Sequence, residues 1–150
     1  MKFHSILIAC TLVAGVTHAQ NRDPLKTEII TSDIDNFWIA FEAAKPDFNP
    51  EVFQTLYLDK GSKGVKGFIP GRIKNAENLA KRVKGRIKYY SSIKPSTDKI
   101  PGMMDDIRKS LVKLKELYPE AIFPPVYFVI GTMSSGGTSS DDGLIIGAEM

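Results

Sequence analysis

Apolar residues recur at helical spacing in four stretches of the chain. One apolar residue every three or four positions places a stripe on one face of a helix, with polar residues between. Ser32 and Asn49 are suited to cap the first two stretches, and Pro50 suits the first position of a helix. The pattern predicts helices at about 33–44, 50–60, 75–92 and 98–118.

The pattern changes after Pro125, where β-branched and aromatic residues follow one another. A short continuous apolar run is typical of a buried strand, so we predict strands at about 125–131 and 143–149. The stretch from Thr132 to Asp142 is rich in Gly and Ser and is typical of a flexible loop. Helices followed by strands indicate an α+β fold. Two strands rarely make a stable sheet, so we expect the sheet to be incomplete.

The first and last predicted helices have the clearest apolar stripes. Such a stripe normally packs against the rest of a domain, and we interpret both as packing faces. The first stripe consists of Ile34, Phe37, Trp38 and Phe41, and the last of Met104, Ile107, Leu111, Leu114 and Tyr118.

Residues 1–19 have the layout of a secretory signal peptide. Lys2 precedes an apolar stretch at 5–16, and small residues lead to Ala19. The stretch is shorter than the roughly 20 apolar residues of a transmembrane helix. We therefore expect export to the periplasm or the extracellular space, cleavage after Ala19, no transmembrane span and a polar lead-in over residues 20–31.

The segment Leu7-Ile-Ala-Cys10 matches the pattern at which lipoprotein signals are cut. Only nine residues precede Cys10, and the apolar stretch continues beyond it to Val16. A cut there would split the hydrophobic region of the signal. We therefore expect no lipid anchor at Cys10.

Removal of the signal peptide takes away the one Cys and both His, which are Cys10, His4 and His18. It leaves 150 − 19 = 131 residues and, with Lys2 gone, a formal net charge of +2 from 19 basic and 17 acidic residues. Disulfides, imidazole or thiolate zinc ligands and Ser-His-Asp triads all need the missing residue types. No acidic cluster fits a calcium loop. We assign the chain no catalytic residue, no metal ligand and no cofactor.

The segment from Gly61 to Gly71 carries four glycines, three of them spaced by three residues. It is superficially similar to a loop that holds phosphate. That motif needs Gly-Lys-Ser/Thr between a strand and a helix, whereas here Phe68 follows Gly67 and a helix precedes the segment. The pattern does not indicate a phosphate loop.

The third predicted helix carries a basic face between Lys81 and Lys88, where five of eight residues are Lys or Arg. In an exported protein such a face favours an anionic membrane or glycan surface, and we expect no nucleic-acid partner. A solvated face is the simpler interpretation. The alternative function for the chain is a non-catalytic secreted or periplasmic interaction module that uses this face or an exposed strand at 144–146.

Several segments carry a family resemblance. The specific ones are Leu117-Tyr-Pro-Glu-Ala-Ile-Phe-Pro-Pro-Val-Tyr-Phe-Val-Ile-Gly131, Ser135-Gly-Gly-Thr138 and Gly143-Leu-Ile-Ile-Gly-Ala-Glu149, and Asp35-Asn-Phe-Trp38 and Tyr57-Leu-Asp-Lys-Gly-Ser62 agree with them. Together they resemble a bacterial family of predicted zinc-dependent proteases, to which gliding-motility lipoprotein B is more distantly similar.

The resemblance implies a zinc peptidase, with the two predicted strands as the start of a zincin-like sheet. In that family a His-Glu-x-x-His helix follows the Ile-Gly-x-Glu stretch after some tens of residues. The sequence stops in the apolar run 143–150 without that motif. We therefore expect residues 32–150 to be the N-terminal part of a zinc-peptidase-like domain, exported and inactive alone. Zinc is expected only if a downstream segment supplies the motif.

The resemblance also implies a place for a peptide substrate in a full-length form. Peptidases of this type pair an extended peptide with an edge strand. By analogy, residues 144–148 would be that strand, with 136–138 in the adjoining loop. The candidate substrate-binding residues are Gly136, Gly137, Thr138, Leu144, Ile145 and Ile146. The alternative is an ordinary interior hairpin that binds nothing.

Overall fold

The computed structural model describes residues 20–150. The expected signal peptide, its cleavage after Ala19 and the question of lipid attachment at Cys10 lie outside the described residues. Within them, helices pack on a small sheet, so the predicted α+β class is confirmed.

The described residues form six α-helices where four were predicted, and one of them lies in the Gly-rich segment, for which no helix was predicted. The six helices are α1 Ser32–Ala43, α2 Pro50–Phe53, α3 Lys63–Phe68, α4 Ala76–Gly85, α5 Ile87–Thr97 and α6 Met104–Leu117. The second predicted helix stops being α-helical after α2 and continues as a wider π turn, Gln54–Leu58. In this stretch the Thr55 hydroxyl donates to the Glu51 carbonyl at 2.9 Å, a bond that bends helices. The last predicted helix begins with a 3-10 turn, Ile100–Met103.

The third predicted helix is two helices, α4 and α5. Gly85 is a poor helix former, and Arg86 leaves the helical conformation with φ −136° and ψ 33°. α5 then runs through Pro95 to Thr97, beyond the predicted end of the helix at about residue 92. The proline removes a helical hydrogen bond near the end of α5. The Trp38 indole N–H donates to the Thr97 hydroxyl at 2.9 Å, which ties the last turn of α5 to α1.

The sheet has four strands among the described residues, so the expectation of two strands is wrong. They are β1 Ile29–Ile30, β2 Val126–Val129, β3 Gly137–Ser140 and β4 Gly143–Gly147, in the order β1-β2-β4-β3. β1 and β4 run parallel to β2, whereas β3 is antiparallel to β4. β1 lies in the expected lead-in and β3 in the expected loop. Gly and Ser have low strand propensity, so β3 forms because β4 supplies a partner.

Aromatic rings fill the core between the helices and the sheet. The Phe37 ring lies 5.0–6.1 Å, centroid to centroid, from five other rings, which belong to Trp38, Phe41, Phe53, Tyr57 and Tyr90. Aromatic pairs at this separation add about 0.5–1.5 kcal/mol beyond the burial of their area. The predicted stripe of α1 is buried in full, so its interpretation as a packing face is confirmed.

The Gly-rich segment packs α3 closely on the sheet. A Cβ atom at Gly64 would lie 2.3 Å from the Cβ of Tyr127, and one at Gly67 would lie 2.9 Å from the Cδ1 of Ile145. Residues three apart share one face of a helix, so the spacing of three keeps that face bare of side chains. Close packing of a helix on a sheet explains these glycines, although a run of glycines is a poor predictor of a helix.

Asp33 joins the start of α1 to the start of α3. The Ser62 hydroxyl caps α3 by accepting from the Gly64 N–H at 3.0 Å. The Ser62 N–H and hydroxyl donate in turn to the two carboxylate oxygens of Asp33. Burial raises the pKa of Asp33, and the bonds from Ser62 oppose that rise. Both oxygens of this carboxylate are therefore occupied inside the fold.

α6 lies at the periphery, and its stripe is only partly buried. None of its residues is fully buried, and Leu114 and Leu117 are 45% and 75% exposed. The helix is attached to the N-terminal segment through Arg108, whose Nη1 donates to the carbonyls of Leu25 and Thr27 at 2.9 and 3.0 Å. Within the predicted stripe, Met104, Ile107 and Leu111 are half-buried, so the interpretation as a packing face is wrong only for the exposed Leu114 and Tyr118. Between residues 20 and 150, no helix combines the length and apolarity that a membrane crossing requires.

Candidate functional site

β3 forms one edge of the sheet, and β4 lies inside it. β4 pairs with β2 on one side and with β3 on the other. The expectation that residues 144–148 form the edge strand is therefore wrong. β4 cannot receive an added strand, because both of its backbone edges are already paired. The segment taken for the adjoining loop supplies the edge instead.

The structure brings the six candidate substrate-binding residues together in one hairpin. Gly137 lies opposite Ile146, and Thr138 lies opposite Ile145. Gly136 immediately precedes β3, and its carbonyl accepts from the Gly147 N–H at 3.0 Å. The Ile145 side chain is fully buried in the core, so it supports the hairpin from below and is not available to a ligand.

Alternation along β3 decides which backbone groups face outward. Gly136 bonds to the residue opposite it, Gly147. In an antiparallel pair, hydrogen-bonded and non-bonded positions alternate. Thr138 and Ser140 therefore direct their N–H and C=O groups to β4, whereas Gly137 and Ser139 direct theirs away from the sheet. These outward groups are the ones that could bind an extended chain.

A serine hydroxyl covers part of this edge. Ser135 Oγ donates to the Gly137 carbonyl at 2.7 Å and accepts from the Gly137 N–H at 3.3 Å. One side chain thus occupies both outward groups of Gly137. Ser139 is exposed and lies beyond the reach of this hydroxyl. Its carbonyl accepts only a long bond of 3.5 Å from the Thr138 hydroxyl, which makes Ser139 the more open position of β3.

Two glycines are required by the hairpin geometry. A Cβ atom at Gly137 would lie 2.7 Å from the Ile145 carbonyl oxygen. Gly143 has φ +145°, and a Cβ there would lie 2.2 Å from the Pro125 carbonyl oxygen. Only glycine adopts such a backbone without strain. Gly137 therefore permits the close approach of β3 to β4, and Gly143 permits the close approach of β4 to the residue before β2.

Two tyrosine hydroxyls anchor the loop that leads from β2 toward β3, and a third holds the segment after β4. Tyr57 donates to the Ile130 carbonyl at 2.7 Å, and Tyr90 donates to the Gly131 carbonyl at 2.8 Å. Burial raises the pKa of both phenols, so both stay protonated donors at neutral pH. Tyr89 donates to the carbonyl of Glu149 at 2.7 Å. The loop beside the candidate edge is thus fixed by the helical core.

Glu149 is a fully buried carboxyl next to this loop. Its Oε1 accepts from the Met133 N–H at 3.2 Å, and its Oε2 has no hydrogen-bond partner in the described part of the protein. Burial raises the pKa of Glu149, and backbone N–H groups oppose the rise. The carboxyl occupies space next to Gly131 and Gly147 that a side chain at either position would fill. In the sequence, only Gly131 and Gly147 could have indicated the buried position of Glu149, and their role depends on tertiary contacts.

The predicted basic face lies on α4 and at its junction with α5. Asn78, Lys81, Arg82, Gly85 and Arg86 line a pocket of about 380 Å³. Across residues 20–150, no carboxylate lies within ion-pair distance of Lys81, Arg82 or Arg86. Lys84 points elsewhere and donates to the Asp47 carbonyl at 3.2 Å.

The residues from 20 to 150 do not bring three His, Cys, Asp or Glu side chains together as a metal-binding group. The zinc that the resemblance implies needs imidazole ligands, and this part of the sequence contains no His. The described residues therefore do not fit that metal.

No family model, no curated protein and no solved structure matches the chain. The resemblance of residues 117–149 to zinc-dependent proteases therefore remains a prediction.

Proposed function

We propose that this chain is an exported peptide-binding unit of a zinc-metallopeptidase-like protein, and that an extended peptide pairs with the outer edge of β3. One observation carries the proposal. β3 is an edge strand whose outward backbone groups belong to Gly137 and Ser139. An extended chain added to such an edge forms main-chain hydrogen bonds whatever its side chains are, which suits a substrate of varied sequence.

The number of outward groups limits the strength of the pairing. Gly137 and Ser139 offer four backbone groups, and each hydrogen bond contributes about 1 kcal/mol net. The Ser135 hydroxyl already holds two of the four, so a peptide gains less at Gly137 than at Ser139. A total of about 2–4 kcal/mol corresponds to a dissociation constant in the millimolar range or weaker. We therefore expect transient binding, as for a substrate.

The proposal assigns binding to this chain and assigns it no cleavage. In the zinc peptidases that this sequence resembles, a His-Glu-x-x-His helix holds the metal and its Glu activates water. The chain contains no such motif. In a protein that also contains that helix, β3 would hold the peptide while the other segment performs the hydrolysis.

A proline substitution tests the pairing. Ser139→Pro removes one outward N–H and leaves the ladder to β4 intact, because Ser139 directs its groups away from β4. We expect this variant to weaken binding of a fluorescein-labelled peptide of alternating Thr and Val by roughly fivefold, the equivalent of about one hydrogen bond. Fluorescence anisotropy measures the change.

Asp141→Pro is the matched control. It introduces a proline two residues away, in the turn between β3 and β4, where φ is negative and a proline fits. It should bind the peptide as the unsubstituted protein does. Equal affinity of the Ser139→Pro variant and the unsubstituted protein, with both variants folded by circular dichroism, would contradict pairing at β3.

Two further measurements test the export and the peptidase relationship separately. N-terminal sequencing of protein secreted by a bacterial host should begin at Gln20. An uncleaved N-terminus in the cytoplasm would contradict export.

The coding DNA downstream of Met150 should contain an in-frame His-Glu-x-x-His. A stop codon without that motif would contradict the metallopeptidase relationship while leaving peptide binding to be judged on its own test.

A further inference from the structure

A concentration of unpaired positive charge marks the junction of α4 and α5. Between Asn78 and Thr97 the sequence has no Asp or Glu and six cations, which are Lys81, Arg82, Lys84, Arg86, Lys88 and Lys94. Lys94 pairs with Asp98 just beyond this stretch. The others have no carboxylate partner within residues 20–150, although six ion pairs form elsewhere in the same part of the chain.

The helix register gathers three of these cations around one pocket. Positions 78, 82 and 86 follow one another at a spacing of four, and so do 81 and 85. Residues at this spacing lie on the same face of a helix. The opposite face of α4 is buried. Gly85 contributes no side chain, and a Cβ atom there would meet nothing within 4 Å, which leaves the floor of the pocket open.

The helix dipole accounts for only part of this charge. Cations are favoured in the last turn of a helix, where free carbonyls carry partial negative charge. That effect applies to Arg82 and Lys84, which lie in the last turn of α4, and Lys84 is also bonded to the Asp47 carbonyl. The dipole effect acts over one turn only, so it does not explain Lys81, which lies more than a turn before Arg86. It also does not explain why the pocket lining contains no carboxylate.

The geometry points to a binding site for a multiply charged phosphate group at Lys81, Arg82 and Arg86. Two guanidinium groups provide planar, two-pronged donors that match phosphate oxygens, and Lys81 adds a point charge. The Asn78 side-chain nitrogen donates one of its two N–H groups to the Ile73 carbonyl at 2.8 Å, which fixes this side chain at the pocket. Three cations without a counter-ion favour a ligand of charge about −2 or more, such as a phosphomonoester or a pyrophosphate.

The pocket lies on α4, while the proposed peptide edge is formed by β3, so neither proposal depends on the other. Its volume of about 380 Å³ is at the lower end of the range for small-molecule sites. A head group or a small phosphate compound fits this volume, whereas a nucleic-acid duplex would need a longer basic surface.

Calorimetric titration with inorganic pyrophosphate tests the site. We expect saturable binding of one equivalent, and we expect Arg82→Gln/Arg86→Gln to weaken it at least about tenfold, since the variant loses both two-pronged, charge-assisted contacts. Lys60→Gln/Lys99→Gln removes the same charge at exposed positions on other segments. This control should change affinity by less than about twofold, the size of a screened long-range effect.

Two further arms distinguish charge from geometry and a free ligand from a lipid. Arg82→Lys/Arg86→Lys keeps the charge and should bind with intermediate affinity, because it loses the two-pronged donors. Co-sedimentation with phosphatidylcholine vesicles that contain phosphatidic acid shows whether a lipid phosphate is accepted. Binding of either pyrophosphate or these vesicles that depends on Arg82 and Arg86 supports the site. Absence of binding to both, or an equal loss in the Lys60→Gln/Lys99→Gln control, would overturn it.

Discussion

Glu149 is the residue at which burial and charge conflict most directly. Its side chain is fully buried beside the loop at Gly131, and its Oε2 lacks a partner among the described residues. Removing an ionised carboxylate from water is costly unless hydrogen bonds compensate. The raised pKa of Glu149 is the consequence, since the neutral form is the less costly one to bury.

The sign of the resulting pH dependence follows from that shift. A carboxyl whose pKa is raised by folding stabilises the fold fully below its unfolded pKa, and this contribution is lost as the pH rises through the folded value. Glu149→Gln removes the group that ionises. We therefore expect the variant to gain stability relative to the unsubstituted protein on going from about pH 5 to about pH 8, as measured by urea denaturation.

Glu116→Gln serves as the control for Glu149→Gln. Glu116 is exposed on α6, where its carboxylate pairs with Lys113. This substitution removes one negative charge without altering the buried site. Asp33, whose pKa is also raised, is present in every variant and cancels from the comparison. A Glu149→Gln variant that is destabilised by the same amount at both pH values would show that the carboxyl is not buried as described.

At the scale of elements, the contact between α3 and the sheet depends on missing side chains. Gly64 and Gly67 let the helix backbone approach Tyr127 and Ile145 more closely than any other residue would allow. Because Ile145 lies directly opposite Thr138, this contact also supports the hairpin that carries the candidate edge.

Gly64→Ala tests that contact. The added methyl group would overlap the Tyr127 side chain and force α3 away from β2, so we expect a loss of roughly 1–3 kcal/mol in the free energy of unfolding. Gly71→Ala is the control, because a Cβ atom at Gly71 meets nothing within 4 Å. It should be neutral or slightly stabilising by up to about 1 kcal/mol. Equal losses in the two variants by urea denaturation would rule out the close contact.

α4 and α6 differ in their share of the core although both show helical periodicity. Leu79 in α4 is fully buried, whereas Leu117 in α6 is 75% exposed. We expect Leu79→Ala to cost about 2–5 kcal/mol through loss of packing and a residual cavity. Leu117→Ala should cost less than about 0.5 kcal/mol. A comparable loss in both variants by thermal melting would place α6 in the core.

At the scale of the whole molecule, the sequence predicted those parts of the fold that depend on local pattern. The stripe of α1 and the strands β2 and β4 lie close to their predicted positions, because period and residue type are local properties. α3 and β3 were missed. Both are rich in Gly or Ser and form because a partner surface is present, which a single sequence does not reveal.

The candidate site was predicted in part for the same reason. Gly136 to Thr138 and Leu144 to Ile146 do lie in one hairpin. The edge of the sheet was assigned to residues 144–148, whereas β3 forms it. Topology depends on long-range pairing that leaves no periodic signal. Ser135 and Glu149 gained their roles only from neighbours brought close by folding. The basic face was visible in the sequence, and the structure added its pocket and its lack of counter-ions.

Hydrogen exchange at individual amides, followed by NMR with and without the Thr/Val peptide, tests the central claim most directly. Pairing at the edge of β3 predicts slower exchange at Ser139, and at Gly137 once the Ser135 hydroxyl is displaced. Thr138, whose N–H already faces β4, should not change. Unaltered exchange at Ser139 with peptide at saturation, or protection confined to other parts of the chain, would contradict a peptide-binding edge at β3.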